Sequence, residues 1–259
     1  MDRSSALGIG VAVGGILAGL MMDGGNVAQI LQPTAALIVF GGTLGAVMLQ
    51  FPMATVVRAA REVKKVFFYQ EPDMAGLIDR IVLFAQKARK DGVVALDKEL
   101  DGIPEPFLRK TLMLAVDGTQ AAELRENMEV EMGNHAEQAE RCIQAFDAAG
   151  GFAPTIGIIG AILGLIQVMQ QLNNINEVGR GIAVAFVATV YGVASANLAF
   201  LPIAGKLRVR KREQDLMREI MLEGVIGILE GMNPRMLQTK LQGYLPDKPE
   251  PAAAAPARA

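Results

Sequence analysis

Four stretches of this chain run for roughly 20 residues or more without one Asp, Glu, Lys, Arg or His, about the length needed to cross a bilayer core at 1.5 Å per residue. They are Ser4 to Met22, Pro33 to Val57, Ala148 to Leu172 and Gly181 to Gly205. A stretch of that kind has few stable places to go except into lipid as a helix, because a helix satisfies its backbone hydrogen bonds internally. Composition agrees: mean hydropathy is +0.31, and charged residues make up 20% where soluble domains carry about a quarter. The fold class expected is therefore an all-α membrane protein with four transmembrane helices.

The first stretch follows Arg3 as a signal peptide would, but its apolar run is too long for one and a second span follows the turn at Asp23-Gly24-Gly25-Asn26. An uncleaved anchor is the expectation. Orientation follows the positive charges. Span 2 exits into Arg58, Arg61, Lys64 and Lys65, and span 4 into Lys206, Arg208, Arg210, Lys211 and Arg212. The opposite loops carry only Asp23, and Glu177 with Arg180. Both termini are thus expected in the cytoplasm, with the chain as a multi-pass protein of the inner (plasma) membrane in contact with lipid.

The chain divides into a transmembrane hairpin at 1–57, a large helical cytoplasmic domain at 58–147, a second hairpin at 148–205, a cytoplasmic helical segment at 206–245 and a low-complexity tail at 246–259 expected to be disordered. Within the insertion, Asp73 to Arg89 places Leu77, Ile78, Ile81, Val82, Phe84 and Ala85 on one face. Gly92 should end that helix and start another at once, leaving charges at an exposed corner. Phe107 to Val116 reads as a short helix, and Thr119 to Phe146 as a long charged one entering span 3. Lys206 to Glu230 mirrors it, so a four-helix or similar bundle is expected.

Several functions are excluded early. A net charge of −2, with no basic run interleaved with aromatics, does not suit nucleic acid. Cys142 is the sole cysteine and His135 the sole histidine, the latter among Glu129, Glu131, Glu137 and Glu140, so no zinc set is expected. No phosphate-binding loop, nucleophile triad or dinucleotide fingerprint occurs. Neither an enzyme nor a cofactor is expected.

Inside the spans the informative residues are small, kinked or hydroxylated. Gly10/Gly14, Gly15/Gly19, Gly41/Gly45 and Gly160/Gly164 have the spacing that lets helices approach closely. Packing within one subunit is one reading, and Gly157, Gly160, Ala161 and Gly164 together clear so much of span 3 that contact with a foreign helix is a fair competitor. Pro154 and Pro202 each remove a helical hydrogen bond, and as prolines at matched depth on adjacent helices they suggest a hinge. Thr189 falls near the bilayer midplane, where its hydroxyl either bonds back to its own helix or lines a polar path. An ion crossing hydrocarbon needs a titratable or coordinating partner, and these spans offer no carboxylate. If the chain conducts, that group comes from another subunit.

The two-plus-two spans around a large insertion, the segment Arg89 to Asp97, the run FAPTIGIIGAILGLI and the run VATVYGVASANLAFLPIAGKL resemble the A subunit of the flagellar stator, the MotA/PomA family. The resemblance covers nearly the whole chain. It implies a ring of A subunits, five in number, around two helices of a B-type, MotB-like subunit whose aspartate carries the ion. It also implies that Pro154 and Pro202 couple ion passage to movement. Arg89 would engage the rotor switch-ring protein, with Lys87 and Lys90 nearby, while Asp97 stands where relatives often have Glu. Sodium-driven relatives carry a threonine where this chain has Ala161, alongside the one matched by Thr189. Alanine supplies no side-chain oxygen, so H⁺ is favoured over Na⁺. The alternatives are an ExbB/TolQ-type energiser, whose three-span pattern the fourth span opposes, and a purely structural membrane scaffold.

Overall fold

The computed structural model describes residues 3–69 and 72–245, so the expected disordered tail at 246–259 lies outside the described residues. Every regular element among the described residues is helical. Helix α1 is Arg3–Met22, α2 Pro33–Gln50, α3 Met53–Phe67 and α4 Met74–Asp91. A 3₁₀ segment follows over Val93–Gly102, then α5 at Pro106–Val116, α6 at Ala121–Gln170, α7 at Ile175–Leu229 and α8 at Pro234–Gln242. α1, α2, α6 and α7 are each long and apolar enough to cross a membrane.

Several boundaries differ from the sequence reading, each for a local reason. Span 2 stops at Gln50 and not at Val57. Pro52 disfavours helical geometry in the residue before it, and Phe51 is extended at φ −122°, ψ 144° before α3 starts afresh. The segment after Gly92 is 3₁₀, not α: Gly92 itself sits at φ +84°, ψ 158°, conformational space open essentially only to glycine. Span 4 has no C-terminal break, since α7 continues to Leu229. α8, which the hydrophobic pattern does not single out, is started by Asn233 capping the Arg235 amide and by Pro234 in the first turn.

Two π turns, Leu37–Gly41 in α2 and Ala196–Phe200 in α7, also escape the sequence reading. The second ends just before Leu201 and Pro202. A proline that cannot donate its amide is compatible with a looser turn at that point, and such turns are frequent at functional sites.

The described chain separates into two compact units. One comprises residues up to 70 together with 136–211, the other 71–135 together with 212 onward. The first unit has three small cores in place of one large one. Ala35 and Val39 pack on Val184, Val187 and Ala188; Val47 and Ala59 pack on Cys142, Ala145 and Ala149; Val66 packs on Ile143, Ala204 and Leu207. Large apolar side chains point outward over the same helices, among them Leu7, Leu49, Ile158, Met169 and Phe186, as a lipid-facing surface requires. The second unit has a conventional core. Ile78, Ile81, Leu96, Leu108, Leu112, Leu124, Met128, Ile220 and Ile226 are all at most 2% exposed. Roughly 1.5–3 kcal/mol for each such side chain is enough to hold short helices and a 3₁₀ segment that would not persist alone.

Candidate ion path and charged corner

The first candidate site is the antiparallel seam between α6 and α7 in the first unit. It exists because glycines on both sides let the two backbones meet at several points. A Cβ added to Gly157 would stand 2.9 Å from the Ala188 carbonyl oxygen, one on Gly192 2.5 Å from the Ala153 oxygen, and one on Gly164 2.8 Å from the Gly181 oxygen. Gly160 is closed off by the Ala188 Cβ at 2.7 Å. Of the two alternatives the glycine spacing leaves open, packing within the chain is the one adopted at Gly157, Gly160 and Gly164: α7 fills that space. The open positions are instead Gly10, Gly14, Gly15, Gly19, Gly41 and Gly45, whose Cβ positions have no neighbour within 4 Å.

Along this seam the structure brings Thr189 beside Gly157, one turn from Ala161 and about one turn from Pro154 on α6. Thr189, Ala161 and Pro154 are half-buried, and Gly157 is buried. The Thr189 Oγ1 donates to the Ala185 carbonyl at 3.3 Å, so the back-bonded role weighed from sequence is the one adopted. Pro202 does not share their depth. The Gly192 backbone lies against Ala153 and Gly157, on either side of Pro154, whereas Pro202 is ten residues farther along α7. The prolines are therefore offset by about nine residues, roughly 13 Å at 1.5 Å per residue, and Pro202 is exposed. The matched-depth pair read from sequence is corrected accordingly.

Two polar residues carry structure that sequence reasoning did not assign. Tyr191 donates its hydroxyl to the Ile30 carbonyl at 2.6 Å, accepts from the Gln32 amide at 3.3 Å and stacks on Phe40 at 5.9 Å. It pins the loop before α2 to α7. Thr43, 2% exposed on α2, has no hydrogen-bond partner for its Oγ1 among the described residues. A lone Tyr or Thr in an apolar run gives no periodic signal, so neither role is visible before the helices are packed.

The second candidate site is the corner between α4 and the 3₁₀ segment in the second unit. Asp73 caps α4 by accepting from the Gly76 amide at 2.9 Å. Arg89 and Lys90 occupy the last turn, where the helix dipole favours cations. Both are exposed, as is Asp97 beyond Gly92. Lys87 differs: it is half-buried and paired with Glu99 at 2.5 Å, tying α4 to the 3₁₀ segment. Leu96, fully buried beside Asp97, anchors that segment in the core. Elsewhere in this unit Glu223 is buried between Arg125 at 2.5 Å and Lys240 at 2.6 Å. Burial pushes the Glu223 carboxyl up, but hydrogen bonds from Arg125 and Lys240 outweigh it and hold the group below the ordinary carboxylate value.

Residues 99–220 match the MotA/TolQ/ExbB proton channel family, and residues 6–92 match the motility protein A N-terminal family. Motility protein A of Bacillus subtilis (strain 168) is 35% identical over 258 residues, covering 96% of this chain and 92% of that protein. The chain belongs to the motility protein A family.

Chemotaxis protein PomA of Vibrio alginolyticus is also similar, at 32% identity over 95% of this chain and 96% of that one. Among solved structures, C. jejuni MotAB superposes with a TM-score of 0.90 at 33% identity, covering 96% of this chain and 98% of that chain. The flagellar MotAB stator complex from Bacillus subtilis gives 0.86 at 32% identity, covering 94% and 96%. For a motility protein A family member the seam and the corner have distinct chemistries. The seam holds hydroxyls and kinks but no carboxylate, whereas the corner displays fixed charges of both signs on a rigid bundle.

Proposed function

We propose that this chain is the A-type subunit of a flagellar motor stator, set in the inner membrane with both termini and the helical bundle in the cytoplasm. The observation that carries the reading is the four-span arrangement, free of ionisable residues in its apolar runs, on a chain that resembles MotAB stator subunits along nearly its full length. Such a chain has no group of its own to hand an ion across hydrocarbon. A MotB-like partner supplies the aspartate, and five copies of this chain surround two partner helices. The chain is a motor component and not an enzyme.

The ion is H⁺. Ala161 and the back-bonded Thr189 offer too few fixed oxygens to coordinate Na⁺, while a proton needs only the partner carboxylate and a short polar route. Neutralising that carboxylate alters helix packing along the α6/α7 seam, where Pro154 and Pro202 interrupt the backbone ladder. The ring steps, and Arg89, Lys90 and Asp97, supported by Lys87, push on charges of the rotor switch ring. A single exposed pair contributes no more than about 1 kcal/mol, so torque depends on repeated steering contacts.

The test is complementation of a deletion strain. Deletion cells should be flagellated but paralysed, and wild type should restore swimming. Arg89→Glu and Pro154→Ala should reach the membrane without restoring it. Failure of wild type to rescue cells that retain filaments overturns the stator reading. Swimming that requires Na⁺ and survives a protonophore overturns the choice of ion.

A further inference from the structure

A cavity of about 610 Å³ lies in the first unit between the first half of α3 and residues 138–142 of α6. It begins three residues beyond the end of the apolar run of α2, so it sits at the membrane edge. Three arginines line it: Arg58, Arg61 and Arg141. Arg58 donates to the neutral amide oxygen of Gln138 at 2.5 Å and has no carboxylate partner among the described residues. Arg61 is exposed and has none either. Arg141 pairs with Glu137 one turn earlier, at 2.6 Å and on the solvent-exposed side. The one carboxylate lining the cavity, Glu62, is engaged by Lys65 at 2.7 Å. The cavity is therefore cationic.

Its rim is apolar. Met53 and Val57, one turn apart on α3, are 56% and 41% exposed. Its floor is Cys142, a buried thiol whose pKa is raised chiefly by desolvation. A soluble anion would use the arginines and leave the exposed apolar rim in water. A phospholipid uses both, with its phosphate on the guanidiniums and its acyl chains along Met53 and Val57. Guanidinium forks match phosphate oxygens, and basic pockets at the membrane edge select anionic headgroups.

We infer that this cavity is a binding site for one anionic phospholipid, held by Arg58, Arg61 and Arg141. The inference rests on the membrane placement of the spans and not on motor activity. The ligand would bridge α3 to α6 and brace the charged face of α3 at the bilayer surface.

Native mass spectrometry of the full chain in detergent tests it, comparing retention of phosphatidylglycerol and phosphatidylcholine with identical acyl chains. Each arginine near an anionic headgroup is worth about a fivefold preference. Wild type should retain phosphatidylglycerol at least about tenfold better. Arg58→Gln or Arg61→Gln should lower that preference about fivefold, and the triple variant with Arg141→Gln should abolish it. Arg235→Gln on α8, in the other unit, should leave it unchanged. If the triple variant loses helicity by circular dichroism, the two single variants decide. No preference in wild type, or a preference that survives the substitutions, overturns the inference. Displacement of the lipid by millimolar inorganic phosphate would also overturn it, by marking a soluble-anion site.

Discussion

Gly192→Ala should loosen the seam on which the proposed ion path depends. The added Cβ would lie 2.5 Å from the Ala153 carbonyl oxygen and 3.1 Å from the Gly157 Cα, where ordinary contact begins near 3.4 Å. Both neighbours are backbone, so neither can rotate away, and α6 and α7 must separate by most of an ångström. Overpacking of this kind costs about 1–3 kcal/mol, while the gain in helix propensity returns about 1 kcal/mol. A net loss of up to about 2 kcal/mol corresponds to a melting midpoint lower by up to about 8 °C for a domain of this size, and the variant should be less stable than an unhindered Gly→Ala by about 1–3 kcal/mol. The assay is thermal unfolding of the detergent-solubilised full chain, followed by helical circular dichroism. Gly151→Ala on α6 is the control, because nothing lies within 4 Å of its Cβ position, and its midpoint should hold or rise. If Gly192→Ala melts at or above Gly151→Ala, close backbone contact is not what holds the seam.

Glu223 has its carboxyl pushed up by burial and, more strongly, held down by hydrogen bonds from Arg125 and Lys240, so its folded pKa is below the ordinary 4.5. Its stabilising contribution is present above that ordinary value and is lost as pH falls through the lower folded one; the acid decline in melting midpoint below about pH 4.5 should be shallower in Glu223→Gln than in wild type. Gly92→Ala forces a side chain onto φ +84°, ψ 158° and should cost about 1–3 kcal/mol by backbone strain alone, since no atom lies within 4 Å of its Cβ position. Its midpoint should fall relative to Gly102→Ala, which has the same open surroundings without a positive φ, and swimming should weaken as the Arg89–Asp97 corner moves; equal midpoints would refute the strain.

The residues of both sites were legible to different degrees. Arg89, Lys90 and Asp97 are exposed at one corner as the charge pattern and Gly92 suggest, because local chain geometry alone puts them there. Lys87 is near Arg89 in the sequence, but its pairing with Glu99 depends on how the 3₁₀ segment folds back on α4. The glycines of span 3 announced a close contact without naming the contacting helix. A Cβ-free stripe looks the same whether it receives a helix of its own chain or of another.

What the sequence determined by itself is whatever follows from local composition and short-range sterics. That includes four apolar helices, since uninterrupted runs without ionisable residues have no other stable home, and the continuous helix from Ala121 into span 3. It includes the end of α4 at Gly92 as well. Tertiary structure alone decided which glycines are filled and which stand open, the offset of Pro154 from Pro202, the pinning of the Ile30–Gln32 loop by Tyr191, and the gathering of Arg58, Arg61 and Arg141 around one cavity. Each of those depends on the register between helices far apart along the chain. Register is set by side-chain interlocking over several turns, and a periodic pattern on one helix carries no information about where its partner stops.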